Sequence, residues 1–105
     1  MYENMLPIGS VVALGGGEKR LMVVGRIQKM QGDDTIYDYV GCPYPEGVVS
    51  ANAFAFFNRD DIERVYFIGF QDPEALELSA RLAALGELYV NEEGQIVERE
   101  AKAEE

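Results

Sequence analysis

Residues 20–47 read RLMVVGRIQKMQGDDTIYDYVGCPYPEG: two strand-like runs, a polar turn between them and a Pro-Tyr-Pro exit. In the first run Leu21, Val23 and Ile27 fall on one side and Met22 and Val24 on the other, before Arg26 and Gln28 turn polar. Both faces begin apolar, which predicts a strand covered on two sides along its first half. The segment from Lys29 to Thr35, with Gly32 and the pair Asp33-Asp34, is the turn at the hairpin tip. The second run, residues 36–42, alternates Tyr37, Tyr39 and Gly41 against Ile36, Asp38, Val40 and Cys42. Pro43 and Pro45 then restrict themselves and the residues before them to extended geometry, so the hairpin leaves through a rigid corner.

Upstream, Leu6 to Ser10 starts an extended run that continues through Val11, Val12, Ala13 and Leu14, with Pro7 marking an edge because proline donates nothing to a ladder. Gly15-Gly16-Gly17 followed by Glu18-Lys19 is a turn that pairs this run antiparallel with the first strand of the hairpin. Downstream, residues 48–57 are rich in Val, Ala and Phe, and Asn58 caps a short helical turn through Asp60 and Asp61. Residues 64–70 form a strand, apolar on both faces, that calls for a helix to cover its outer side. That helix starts with Asp72 as N-cap, Pro73 and Glu74 in the first turn, and runs to Leu85 before Gly86. Ala75, Leu78, Leu82 and Leu85 make its apolar stripe, and Glu77 and Arg81 pair on the wet side. Residues 88–97 suit a weak terminal hairpin, and the final EREAKAEE carries too little apolar surface to order itself. The expectation is one small α+β domain over residues 1–90 and an acidic, frayed tail over 91–105. Five or so antiparallel strands curl into a roll or partly open barrel, with the helix packed on one face.

The chain holds 105 residues, enough for one core, with 19 acidic against 9 basic residues and a net charge of −10. Nucleic acid and anionic membranes draw affinity from a basic face, so this balance argues against both and leaves a basic protein partner open. One cysteine makes no internal disulfide, and a chain with no histidine has no Cys/His cluster for structural zinc. The N-terminal MYENMLPIGS lacks basic and apolar signal regions, and no run approaches the roughly 18 apolar residues of a membrane span. The default address is the cytoplasm.

Catalytic apparatus is not visible. Gly15-Gly16-Gly17-Glu18-Lys19 lacks the Gly-Lys-Ser/Thr ending of a phosphate loop and leads into a strand where such a site needs a helix. Asp33, Asp34 and Asp38, or Asp60, Asp61 and Glu63, do not match a calcium loop and read as solvated turn and helix-start carboxylates. Cys42 has no base to make it a thiolate and reads as a small buried hydrophobe. Ser10, Ser50 and Ser79 lack a histidine base. Neither catalytic residues, metal nor cofactor are expected.

The aromatic set Tyr37, Tyr39, Tyr44, Phe54, Phe56, Phe57, Tyr66, Phe67 and Phe70 is larger than a small sheet needs. Most of it, Phe67 included, is expected in the core, and the remainder is a natural anchor for a partner. Tyr44, Pro45, Phe56 and Tyr39 are the candidate partner-binding residues, centred on the Pro-Tyr-Pro exit.

The order LPIGSVV, a glycine turn, LMVVGR, YDYVGCPYPEG, FFN-x-x-DI and VYFIGF resembles domain-of-unknown-function family 4176 of Gram-positive bacteria over about residues 5–72. The resemblance implies a neighbourhood of LXG-type toxins exported by type VII secretion. It further implies a non-enzymatic adaptor or chaperone that binds the toxin, or its small helical partners, in the cytoplasm. The rival expectations are an immunity protein that neutralises a neighbouring toxin and a small hydrolase or nucleotide-binding enzyme.

Overall fold

The computed structural model describes residues 5–99. Strands β1 (Val11–Leu14), β2 (Arg20–Gln28), β3 (Tyr37–Pro43), β4 (Ala55–Phe57) and β5 (Ile62–Phe67) form one antiparallel sheet in the order β4-β3-β2-β1-β5. The hairpin of residues 20–47 is therefore β2 and β3, with β2 at the centre of the sheet. The sheet is open, and β4 and β5 are its edges. A 3-10 turn (Arg59–Asp61) joins those two edge strands in sequence. Helix α1 (Pro73–Ala83) follows, and β6 (Leu88–Val90) pairs with β7 (Ile96–Glu98) in a separate hairpin. Among the described residues no helix is long and apolar enough to cross a membrane.

Register assigns the two faces. Directly opposed residues of an antiparallel pair point the same way. Val12 opposes both Leu21 and Val65, Val23 opposes Gly41, and Tyr39 opposes Phe57, so these residues share one face. That face is the core: Met5, Leu6, Val12, Leu21, Val23, Tyr39, Phe57 and Ile62 form one buried cluster. Burying each such aliphatic or aromatic side chain is worth about 1.5–3 kcal/mol. Gly41 is required where it stands, because a Cβ there would lie 3.0 Å from the Met22 carbonyl oxygen and 3.2 Å from the Phe57 ring. Tyr39 and Phe57 stack with centroids 5.4 Å apart.

Several expectations are corrected. The first strand does not begin at Leu6: Gly9 takes φ +92°, which breaks the extended run, and β1 starts at Val11. Met5, Leu6 and Pro7 instead fold under the sheet and are buried. A one-residue bulge in β2 shifts the register between Val23 and Gly25, so the polar-looking Arg26 opposes Tyr39 and points to the core side. Its Nη1 donates to the Leu6 carbonyl at 3.3 Å and to Ser79 Oγ at 3.0 Å.

Ser79, flanked by Ala75 and Leu82, is therefore the inward centre of α1, and it is buried while Leu76 and Leu78 are exposed. The stripe is rotated from the expected Leu78-centred one because the contact below the helix is a guanidinium, which selects a hydroxyl. The helix so placed covers the Tyr39 face and leaves the outer side of β5 open. Phe67, expected in the core, is 60% exposed, and Phe70 is 79% exposed. β5 also ends at Phe67, three residues early. Gly69 is pressed against the Ile8 carbonyl and donates its N–H to Ser10 Oγ at 3.0 Å, which pulls the chain off the sheet.

The boundary expected at residue 90 falls inside the β6/β7 hairpin, whose pairing extends to Glu98. Tyr89 and Arg99 stack across it at 4.9 Å, and Glu98 caps the Gly86 N–H at 2.7 Å. The rest of the expected frayed tail, residues 100–105, lies outside the described residues, as do residues 1–4.

Candidate protein-interaction face

The sheet's second face is built by the same registers. Ala13 opposes Arg20 on one side and Arg64 on the other, and Val11 opposes Met22 and Phe67. Two rows thus run across β2, β1 and β5, one Arg-Ala-Arg and the next Met-Val-Phe. Met22 in turn opposes Cys42, which is buried. A second bulge, between Val11 and Val12 of β1 in its pairing with β5, sets Tyr66 between the two rows.

The Pro-Tyr-Pro exit closes one end of this face. The Tyr44 N–H donates to the Arg20 carbonyl at 2.9 Å, and Lys19 pairs with Glu46 at 2.6 Å. That hydrogen bond from Lys19 holds the Glu46 carboxyl below its usual range. The Arg20 guanidinium carbon lies 5.3 Å from the Tyr44 ring centre and 5.6 Å from that of Tyr66, while Arg64 lies 5.7 Å from Tyr66. Together Gly9, Val11, Arg20, Met22, Tyr44, Tyr66 and Phe67 line an open cleft of about 490 Å³.

The candidate residues read from sequence do not come together. Tyr44 is exposed and lines this cleft, and Pro45, the next residue, is exposed but is not among the cleft's lining residues. Tyr39 is removed from any surface: it is 0% exposed on the core face, and its hydroxyl accepts the Leu6 N–H at 2.8 Å. Its burial raises the phenol pKa above the ordinary 10.0. Phe56 lies on edge strand β4, half-buried, with its ring 5.8 Å from that of Tyr37. The residues missed are Arg20, Met22, Arg64, Tyr66 and Phe67. Parity within β2 already set Arg20 with Met22, but only the pairing of β1 with β5, which lie far apart in sequence, brings in the rest.

Three of the carboxylates considered as cation ligands have local work. Asp33 Oδ1 accepts the Thr35 N–H at 3.0 Å, Asp61 Oδ2 accepts the Asn58 N–H at 2.8 Å, and Asp38 pairs with Arg59 at 3.5 Å. A second open cleft, of about 560 Å³, lies where Pro7, Ile8 and Phe70 meet the start of α1, with Arg26 at its floor. Burial lowers the Arg26 pKa, the Tyr39 hydroxyl acting in the opposite direction.

An open antiparallel α+β domain that exposes aromatic and arginine side chains on one sheet face defines the class. The chain belongs to the family described as a domain of unknown function (DUF4176), which matches residues 5–78. No curated protein and no solved structure matches it. The family match takes in the whole five-stranded sheet and the first turn and a half of α1, and so every residue that lines the face.

Proposed function

We propose that this chain is a non-enzymatic, cytoplasmic adaptor that binds a protein partner through the face carrying Tyr44, Tyr66 and Phe67. The observation that carries this reading is the exposure of Tyr66 and Phe67, 48% and 60%, beside the exposed Tyr44 on one continuous surface. Large aromatic side chains left in water next to an arginine are the composition of interface hot spots, and a contiguous apolar patch on a small domain marks an interaction site. The partner class we propose is the one the family resemblance implies: an LXG-type effector, or its small helical partners, bound before export by type VII secretion. The net charge of −10 supports a protein ligand over nucleic acid, whose phosphates the molecule as a whole repels.

The test is co-expression with an LXG-type effector, the partner class that the family resemblance implies. Co-purification with the effector's toxicity retained is the expected result. Loss of toxicity on co-expression assigns the chain to immunity instead, and failure of the two to co-purify removes this effector as the partner.

A further inference from the structure

We propose that the cleft between Tyr44 and Phe67 recognises an acidic peptide segment, a carboxylate next to an aromatic or aliphatic side chain, with Arg20 as the residue that grips the carboxylate. This inference rests on the reading of the face as a protein-binding surface. The ion pairs among the described residues engage Lys19, Arg59, Arg81 and Arg99, each with a carboxylate. Arg20 and Arg64 have none among the described residues, in a chain with a twofold excess of acid. Both stand on the same row of the same face, on either side of Ala13.

The placement of Arg20 is what a carboxylate receptor requires. Its guanidinium is held against the rings of Tyr44 and Tyr66, at 5.3 and 5.6 Å. A guanidinium that rests over aromatic rings still has N–H donors to offer, and its planar fork matches a carboxylate in a two-point contact. The two rings restrict where the side chain can go, and the backbone bond from Tyr44 to the Arg20 carbonyl fixes the strand that carries it, so less freedom is lost on binding. Met22, Val11 and Phe67 form the next row and supply an apolar seat beside the charge. Charge complementarity selects the occupant: a basic segment meets two arginines without counter-ions, and an uncharged one leaves both without an acceptor. A single-stranded nucleic acid offers bases to stack, but its many phosphates face a molecule of net charge −10.

The experiment is selection of a random peptide library displayed on phage against the full chain, followed by titration of the enriched peptides against wild type and variants. The expected peptides carry Asp or Glu beside Phe, Tyr, Leu or Met. Their affinity falls about tenfold or more when the acid is changed to its amide, and by a similar factor in Arg20→Gln. Arg20→Lys recovers only part of it, because an ammonium lacks the fork. Enriched peptides that need Tyr66 and Phe67 but not an acid overturn the carboxylate inference and leave the binding face standing. Peptides that bind Tyr66→Ala and Phe67→Ser as well as wild type, or no enrichment at all, overturn both. A ten-nucleotide single strand that binds with the same dependence on Arg20 also overturns the inference, in favour of nucleic acid. Arg64→Gln is the second variant, with a smaller loss expected because Arg64 rests on one ring only.

Discussion

The Leu6 N–H donates a 2.8 Å hydrogen bond to the Tyr39 hydroxyl, joining the segment under the sheet to its third strand. Both partners are buried, so the bond closes the core where a surface contact had been expected of Tyr39. Tyr39→Phe keeps the ring stack on Phe57 but leaves the Leu6 N–H without its acceptor, and it should cost about 1–3 kcal/mol in chemical denaturation. A loss below about 0.5 kcal/mol contradicts the assignment of this bond to stability.

The same tyrosine sets an alkaline limit. Burial raises its pKa above 10.0, the Leu6 hydrogen bond opposing that shift. The folded state therefore holds the phenol proton more tightly than the unfolded chain does. Its contribution is fully present below the unfolded value and is lost as pH rises through the folded one. Unfolding free energy should fall above pH 10.0 in wild type, with a shallower fall in Tyr39→Phe. Equal slopes in the two proteins contradict it.

Gly69 is expected to be intolerant of any side chain. A Cβ there meets the Ile8 carbonyl and the Gly9 backbone, neither of which yields as a flexible side chain would. Gly69→Ala should destabilise by about 1–3 kcal/mol, the usual cost of overpacking. Gly16→Ala serves as the control of opposite character: it has open space around the added methyl and only a positive φ to resist it.

At the helix start, Asp72 Oδ1 accepts the Ala75 N–H at 2.9 Å. Asp72→Ala should cost about 1 kcal/mol and Asp72→Asn much less, both read from thermal melts. Equal losses in the two would show that the carboxylate's charge, not its hydrogen bond, holds the helix.

How much of this was legible in the sequence depended on the range of the interaction. The β2/β3 hairpin, its polar tip, the Asp72-Pro73 helix start and the terminal hairpin are local, and alternation, turn residues and caps carry them. The errors arose where distant segments meet. Arg26 looked solvent-facing until a bulge inverted parity after Val23, and Ser79 looked incidental until Arg26 lay beneath it. Phe67 looked like core because its strand is apolar on both faces, but helix α1 lies on the Tyr39 side. Of the residues on the candidate face, Tyr44 was singled out from the sequence because it sits in the local Pro-Tyr-Pro exit, whereas Arg64 and Phe67 join it only through the long-range pairing of β1 with β5.

If the Tyr44–Tyr66–Phe67 face binds a protein, it should contribute little to the fold. Isothermal titration of an LXG-type effector, the proposed partner, into wild type and into Tyr66→Ala/Phe67→Ser, measures it most directly. Saturable binding is expected, weakened by about tenfold or more in the variant, while the melting temperature stays within roughly 4 °C, as for surface substitutions. Unchanged affinity in the variant, or a collapse of the melting temperature that accompanies the loss, would contradict it.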